Sequence, residues 1–181
     1  MLFGTAELGQ VIQLLIHGVG GLGHLGIQFS SRLGFRTIAV NRGREKEALA
    51  RALGAHHYID SEDGDVAEIL RAKGGAKAII TTVTNADAMK AIVGGLGPNG
   101  TLMVIGAVSA FDLDTFALLM KRAAVKGWYS GIAVDSEDTL AFSKLYDIRS
   151  TNEIFPLEEA QAAYDRMMSG KARFRVVLKM N

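Results

Sequence analysis

A glycine-rich turn between an apolar strand and a helix is the feature that most constrains this chain. The turn reads Gly18-Val19-Gly20-Gly21-Leu22-Gly23 and directly follows the apolar run 14–16. A strand, then Gly-x-Gly-x-x-Gly, then a helix is the pattern of dinucleotide-binding domains. It therefore predicts a nicotinamide-cofactor domain. The alternative is a glycine-rich turn that binds nothing.

Each glycine of this turn has a physical role in that interpretation. Gly18 permits the tight turn out of the strand, and Gly20 lacks a Cβ, so a pyrophosphate can approach the backbone. Gly23 allows the helix to pack closely on the sheet. The start of the helix offers free N–H groups and the positive end of its dipole to the phosphates.

Strand-like and helix-like segments alternate along most of the chain. Near-continuous apolar strands between helices predict a parallel sheet covered on both faces. We expect a Rossmann-type α/β fold, a doubly wound parallel six-stranded sheet with helices on both faces. The predicted strands are 14–17, 37–40, 57–59, 78–83, 101–105 and 124–128, and the predicted helices are 21–33, 44–53, 63–73, 85–96, 112–122 and 135–146.

Three finer expectations follow from local patterns. Glycine, proline and asparagine at 97–100 predict a turn. The best domain boundary lies at 149–152, which makes 1–150 the NAD(P)-binding domain and leaves 151–181 as a segment with one helix (157–168) and one strand (175–179). In the first helix, helical periodicity places one group of apolar residues on a common face, namely Leu22, Leu25, Phe29 and Leu33.

Composition excludes several classes of protein and site. The chain has 181 residues, a formal net charge of +1 and no cysteine. The charge gives no indication of a nucleic-acid partner, and the lack of cysteine excludes disulfides, thiolate zinc sites and cysteine nucleophiles. No apolar run approaches the roughly 20 residues of a membrane span, and the first residues do not resemble a signal peptide. We therefore expect a cytoplasmic protein that uses neither nucleic acid nor membrane.

The end of the second strand bears on which dinucleotide is bound. A carboxylate that holds the adenosine ribose of NAD is expected about 20 residues beyond the glycines. Asn41 occupies that region and is followed by Arg42, Gly43 and Arg44. An amide does not repel a 2′-phosphate, Gly43 leaves room for it, and a guanidinium binds it with charge-assisted hydrogen bonds. This favours NADP(H) over NAD(H), unless the arginines are only solvated loop charges.

Three segments together make the sequence recognisable: 18–28, 52–60 and 168–178. In these segments the chain resembles the cofactor-binding half of the zinc-dependent alcohol dehydrogenases, in the medium-chain dehydrogenase/reductase superfamily. The resemblance extends from about Leu14 onward. It implies an oxidoreductase that transfers hydride between NADP(H), or NAD(H), and an alcohol or aldehyde.

The resemblance also implies further cofactor contacts. Lys46 matches a lysine that reaches the adenosine ribose, and Arg175 an arginine that approaches the pyrophosphate. Residues after the fourth, fifth and sixth strands match positions that flank the cofactor or hold its carboxamide, although the apolar ones are equally suited to the core. The full set expected at the cofactor is Gly18, Gly20, Gly21, Leu22, Gly23, Asn41, Arg42, Gly43, Lys46, Thr82, Val83, Ile105, Gly106, Ala107, Ser130 and Arg175, with Trp128 in the same region as Ser130.

The sixth strand, Ala124 to Trp128, has a second expected role. In dimeric members of the family the outermost strand pairs across the two-fold axis, and an exposed strand edge invites such pairing. Trp128 and Tyr129 are residue types that suit an interface. The alternative is an ordinary edge strand whose aromatic side chains pack inward.

The chain also departs from the family pattern. The domain that supplies the family's catalytic zinc ligands and proton relay has no counterpart in these residues, and residues 1–13 match poorly. Without cysteine the family's zinc site cannot be built here, and the four histidines, His17, His24, His56 and His57, are expected to be structural. We therefore expect no catalytic and no metal-binding residue in this chain.

Three functions remain open at this point. The first is the cofactor-binding portion of an alcohol dehydrogenase, inactive on its own. The second is a stand-alone nucleotide-binding or redox-sensing module without catalysis, because this fold hosts both kinds of protein. The third is a zinc-free quinone or enoyl reductase, although the form of the glycine turn favours the zinc branch.

Overall fold

The structure, a computed structural model, describes residues 13–180. Its strands are β1 (Gln13–His17), β2 (Arg36–Asn41), β3 (His57–Asp60), β4 (Ala76–Thr81), β5 (Leu96–Val104), β6 (Ala124–Gly127), β7 (Asn152–Pro156) and β8 (Arg175–Lys179). Its α-helices are α1 (Gly23–Arg32), α2 (Glu47–Ala52), α3 (Val66–Arg71), α4 (Ala86–Val93), α5 (Thr115–Lys121), α6 (Ala133–Tyr146) and α7 (Ala160–Met168), and a 3₁₀ turn (Leu157–Glu159) precedes α7.

The main sheet confirms the predicted fold class. It has six strands in the order β3-β2-β1-β4-β5-β6. All five neighbouring pairs are parallel. This is the strand order of the doubly wound dinucleotide fold, in which the order reverses between the first and fourth strands.

The alternation of side chains along β1 divides the core into two clusters. Leu15 belongs to the first cluster, with Ile79 of β4 and Met89 of α4. Leu14 and Ile16 belong to the second, with residues of α1 and α2. Leu15 and Ile16 are fully buried, so truncating either to alanine is expected to cost about 2–5 kcal/mol. β1 is thus covered on both faces.

The predicted apolar face of the first helix is wrong. Leu22 is 49% exposed and Leu33 57% exposed, while the residues of α1 that are buried are Gly23, His24, Ile27 and Ser30. The buried face carries polar groups because each has a partner: the Ser30 hydroxyl lies 2.9 Å from that of Thr37. Polar residues that are hydrogen-bonded inside cannot be recognised by hydrophobic periodicity alone.

The predicted turn at 97–100 is also wrong, since these residues lie within β5. The local composition instead accompanies an irregularity in the pairing of β4 with β5, which shifts register between Ala76 and Ala78. Asn99 takes a left-handed conformation there, with φ of 54°. Asparagine tolerates this conformation better than most residues.

The C-terminal segment contains one strand more than predicted. β7 pairs with β8 in parallel as a separate two-stranded sheet, with Asn152 opposite Arg175. Glu153 of β7 accepts two hydrogen bonds from Arg166 of α7, at 2.7 and 2.9 Å. β7 escapes prediction because it begins with polar residues and ends in proline, so it lacks an apolar run.

Helices α5 and α6 have no fully buried residue. α6 is held by ring contacts: Phe142 stacks on Phe29 of α1 at 5.7 Å between centroids and lies 4.4 Å from Tyr146.

None of the helices in residues 13–180 is long and apolar enough to cross a membrane. The poorly matching N-terminal residues, apart from Gln13, lie outside the described range.

Candidate functional site

The parallel register brings four strand ends to one edge of the main sheet. His17 of β1 lies opposite Val40 of β2 and opposite Thr81 of β4, and Thr81 lies opposite Val104 of β5. The loops that follow these strands are therefore neighbours. These strand ends and the loops after them contain the glycine turn and most of the residues predicted for the cofactor; Ser130 follows β6, and Arg175 lies in β8. The point between β1 and β4 is the topological switch point, where open α/β sheets bind ligands.

The glycine turn closes tightly on itself. Gly18 has φ of 96°, and its N–H donates to the Val40 carbonyl at 2.8 Å. A Cβ on Gly18 would lie 2.8 Å from the Thr82 hydroxyl oxygen. A Cβ on Gly23 would overlap the Gly18 carbonyl, so neither position accepts a side chain without a shift. By contrast, no described atom lies within 4 Å of the Cβ position of Gly20, which faces open space.

The close packing of α1 on the sheet depends on a glycine outside the predicted set. A Cβ on Gly26 would lie 3.3 Å from the Ile16 side chain of β1. For Gly23, the limiting neighbour is the carbonyl of Gly18, so its main role is in the turn itself. The spacing of Gly26 one helical turn beyond Gly23 could have indicated it.

The ends of β4 and β5 are tied to the turn through backbone groups. The Thr82 hydroxyl lies 3.1 and 3.2 Å from the carbonyl oxygens of His17 and Gly18. The N–H groups of Ile105 and Gly106 both donate to the Thr81 carbonyl, at 3.0 and 3.1 Å. A Cβ on Gly106 would collide with the Val83 carbonyl, so this position too requires glycine.

The loop after β2 is fixed by residues of β3. Asn41 Oδ1 accepts a hydrogen bond from Val19 N at 3.1 Å, which joins this loop to the glycine turn. Gly43 N donates to Asp60 Oδ1 at 2.8 Å, and the Tyr58 hydroxyl donates to the Gly43 carbonyl at 2.6 Å. The orientation of the Gly43 peptide is therefore set from both sides.

The two arginines of this loop differ in their surroundings. Arg44 forms ion pairs with Asp63 and Glu47. Asp63 and Glu47 raise the pKa of Arg44 further above its ordinary value. Arg42 is exposed, and within residues 13–180 the structure gives its guanidinium no ion-pair partner. Arg42 alone of the pair is open to a ligand.

Lys46 and Arg175 both lie at the glycine turn. Lys46 Nζ donates to the Val19 carbonyl at 2.9 Å, and burial and the charge of Arg173 lower the pKa of Lys46. A Cβ on Gly21 would lie 3.6 Å from Arg175 Nε. The backbone of Arg175 is anchored by its N–H, which donates to the Thr151 carbonyl at 3.2 Å. Two cations that are distant in sequence thus meet at one turn.

Ser130 is not brought to the turn. It follows β6, the edge strand three places from β1 in the sheet, and within residues 13–180 its hydroxyl donates only to the adjacent Gly131 carbonyl, at 3.3 Å. Ala107 and Leu22 are exposed. These three residues lie along the edge of the sheet without a contact that fixes their side chains among the other predicted residues.

Three of the four histidines, His17, His24 and His56, have structural partners. His17 is buried with Nδ1 3.1 Å from the Thr81 hydroxyl, and burial lowers the pKa of His17 to about 4. His24 is fully buried and contacts Gly20 and Thr151. His56 Nδ1 accepts from Thr37 N at 3.1 Å. No group of three or more His, Asp or Glu residues in the described range could hold a metal ion, so a zinc site does not fit these residues.

Comparison with known proteins agrees with this arrangement. The family model described as zinc-binding dehydrogenase matches residues 21–144. The chain is 46% identical over 166 residues to the alcohol dehydrogenase notN of Aspergillus sp. strain MF297-2, covering 92% of this chain and 49% of that protein. The chain thus spans about half the length of the curated relatives it matches.

Solved structures agree on the fold. The alcohol dehydrogenase of Aeropyrum pernix superposes with a TM-score of 0.82 at 23% identity, covering 91% of this chain and 49% of that one. The acetophenone reductase of Geotrichum candidum, solved with NAD, gives 0.80 at 19% identity, covering 97% and 50%. With its parallel sheet, its glycine turn and a family model that matches most of its length, the chain belongs to the zinc-binding dehydrogenase family.

Proposed function

We propose that this chain is the cofactor-binding part of an alcohol dehydrogenase and that it binds a nicotinamide dinucleotide along the edge formed by β2, β1, β4 and β5. The observation that carries the proposal is the open face of Gly20, with Lys46 and Arg175 at the same turn. The N-terminus of α1 begins at Gly23, directly behind it. Free N–H groups, a helix dipole and two cations together suit a pyrophosphate.

The other predicted residues extend this site in two directions. Asn41, Arg42 and Gly43 would hold the adenosine end, beside β2. Thr82 and Val83 would flank the centre. Ile105 and Gly106 have N–H groups engaged by Thr81, so they would offer carbonyl oxygens to a carboxamide, while Ala107 and Ser130 lie further along the same edge. When bound, the nicotinamide supplies the hydride chemistry, and the protein orients the ring.

We further propose a preference for NADP(H). Asn41 places no charge where a 2′-phosphate would lie, and Arg42 is a cation without an ion-pair partner in the described part of the chain. The nearby Asp60 is buried, with Oδ1 already accepting from Gly43 N and Glu62 N. The acetophenone reductase solved with NAD is a relative in fold, and NAD(H) is the competing cofactor.

Fluorescence titration of the chain with NADPH and NADH tests both proposals. We expect NADPH to bind more tightly, and Arg42→Ala to weaken NADPH about ten-fold while leaving NADH nearly unchanged. Arg36→Ala is the matched control, because Arg36 is an exposed arginine at the opposite end of the same strand. No binding of either dinucleotide would reject the cofactor site, and equal affinities unaffected by Arg42→Ala would reject the NADP(H) preference.

The reaction follows from the named relatives. Two curated proteins that resemble this chain are alcohol dehydrogenases, so we propose hydride transfer between the dinucleotide and an alcohol or aldehyde. The family's zinc would act as a Lewis acid from ligands outside residues 13–180. These 181 residues alone should therefore oxidise no alcohol. Zinc-dependent alcohol oxidation by the purified chain would contradict this.

We also propose that β6 pairs with a second copy of the chain. β6 is the last strand of the sheet, and Trp128 and Tyr129 after it are 51% and 97% exposed. Trp128 N donates to Val104 O, so by alternation the N–H of Gly127 points away from β5. Gly127→Pro would remove that outward donor. Sedimentation velocity should show a dimer for the wild type and a monomer for the variant; a wild-type monomer would rule the pairing out.

A further inference from the structure

We propose that His24 is a positioning residue for the cofactor site: it fixes Arg175 beside the glycine turn by holding Gly20 and Thr151 at the same time. The inference rests on the cofactor site proposed above. It assigns a role to a residue that the glycine pattern does not include and that the sequence suggested only as a structural histidine at the start of a helix.

The hydrogen bonds of His24 determine its tautomer. Nε2 lies 3.1 Å from the N–H nitrogen of Thr151, and a backbone N–H can only donate. Nε2 is therefore the acceptor, and the proton of the neutral ring lies on Nδ1. Nδ1 then donates to the Gly20 carbonyl, 3.0 Å away. Burial lowers the pKa of His24 below its ordinary value, which keeps the ring neutral near pH 7.

The second half of the connection runs from Thr151 to Arg175. The Thr151 carbonyl accepts from Phe174 N at 2.9 Å and from Arg175 N at 3.2 Å. The Phe174 ring stacks on the His24 ring, with centroids 4.5 Å apart and planes at 20°. The Thr151 N–H thus donates to His24, and the Thr151 carbonyl accepts from the backbone of Arg175 and of the preceding Phe174.

These contacts form a closed circuit. It runs from Gly20 to His24, through Thr151 to Arg175, and back to the turn at Gly21, where Arg175 Nε lies 3.6 Å from the Cβ position. His24 is fully buried, with no solvent-accessible surface, so it is not itself a ligand contact. Its effect on a bound pyrophosphate must act through the Gly20 carbonyl and through Arg175.

A charged His24 would break this circuit. The imidazolium carries protons on both nitrogens, so Nε2 would face the Thr151 N–H as a second donor. The positive charge that faces His24 directly is that of Arg175, which acts against protonation. Lys46 Nζ lies 5.8 Å from the Phe174 ring centroid, and the charge of Arg173 acts on Lys46. Among the described residues, the charge that acts on His24 is that of Arg175, and no carboxylate there compensates the added proton.

A double-mutant cycle on the full chain tests the role, with NADPH and NADH affinities as the readout. We expect His24→Ala and Arg175→Gln each to weaken binding about ten-fold, and the double variant to bind no more than about two-fold more weakly than Arg175→Gln. His56→Ala is the control, because His56 also accepts a hydrogen bond from a backbone N–H, that of Thr37, but lies away from the turn. The His56→Ala variant should bind both dinucleotides with the wild-type affinity.

Three outcomes would each overturn or redirect the proposal. Independent losses that multiply in the double variant would overturn it, because His24 would then not act through Arg175. Nitrogen-15 NMR of the unmodified chain supplies a test that needs no folded variant: a proton on Nδ1 supports the circuit, and a proton on Nε2 overturns it. If the wild type binds neither dinucleotide while Nδ1 carries the proton, it is the proposed cofactor site that fails.

Discussion

The carbonyl oxygen of Gly18 occupies the space that a Cβ on Gly23 would need. The first and last glycines of the turn are therefore coupled directly, through backbone atoms, before any ligand is considered. Gly18 can point its carbonyl there because it adopts φ of 96°. The two positions define one closed turn, whereas Gly20 between them faces open space.

This difference separates a folding role from a binding role. Gly23→Ala is expected to destabilise the chain by about 3 kcal/mol or more, since the displaced groups are backbone and cannot rotate away. Gly20→Ala should cost less than about 1 kcal/mol, yet it should weaken NADPH binding because a methyl group would enter the open face. Urea unfolding and NADPH titration of both variants provide the comparison. Equal stability of the two variants would contradict it.

His17 makes stability depend on pH. Its folded pKa is lowered to about 4 by burial, whereas the ordinary value is 6.5. Above pH 6.5 neither state binds the proton; as the pH falls, the unfolded chain is protonated first, so stability is lost. The stability advantage of wild type over His17→Gln should shrink by about 2 kcal/mol between pH 7.5 and 5. A difference that stays constant over this range would show that His17 is not the group responsible.

Asn41→Asp is expected to move the cofactor preference toward NADH. The aspartate can still accept the hydrogen bond from Val19 N, so the loop should keep its shape. Its charge would repel a 2′-phosphate and accept from a ribose hydroxyl. The ratio of NADPH to NADH affinity should fall at least about ten-fold, equivalent to 1.4 kcal/mol. A ratio equal to that of the wild type would mean that Asn41 does not face the adenosine end.

Phe142→Ala is expected to release α6 without unfolding the sheet. No residue of α6 is fully buried, and its contact with α1 is the ring stack of Phe142 on Phe29. Hydrogen exchange across residues 133–146 should accelerate, while β1 and β4 keep their protection. Phe116→Ala in α5 is the matched control, since Phe116 is 69% exposed. Loss of protection throughout the sheet would show that α6 is part of the global folding unit.

The sheet could be predicted from the sequence because its strands are apolar runs between glycine-terminated helices. The turn could be predicted because Gly18 and Gly23 are required by local backbone geometry. Long-range polar contacts could not be predicted. His24 reaches Thr151 across 127 residues, and Tyr58 fixes the Gly43 peptide from another strand. Neither contact leaves a periodic signal, because each depends on a neighbour that only the folded chain supplies.

The circuit through Thr151 has a consequence for the order in which the site is completed during synthesis. The glycine turn and α1 leave the ribosome before Phe174 and Arg175, which lie more than a hundred residues further along the chain. Synthesis proceeds from the N-terminal side, so the strands of the main sheet are available before the C-terminal segment. A nascent chain therefore passes through a stage in which the sheet has formed but His24 lacks both the Thr151 N–H that donates to it and the Phe174 ring that stacks on it. We expect dinucleotide binding to strengthen only when residues 174–175 have emerged, so the site would be completed after the sheet has formed.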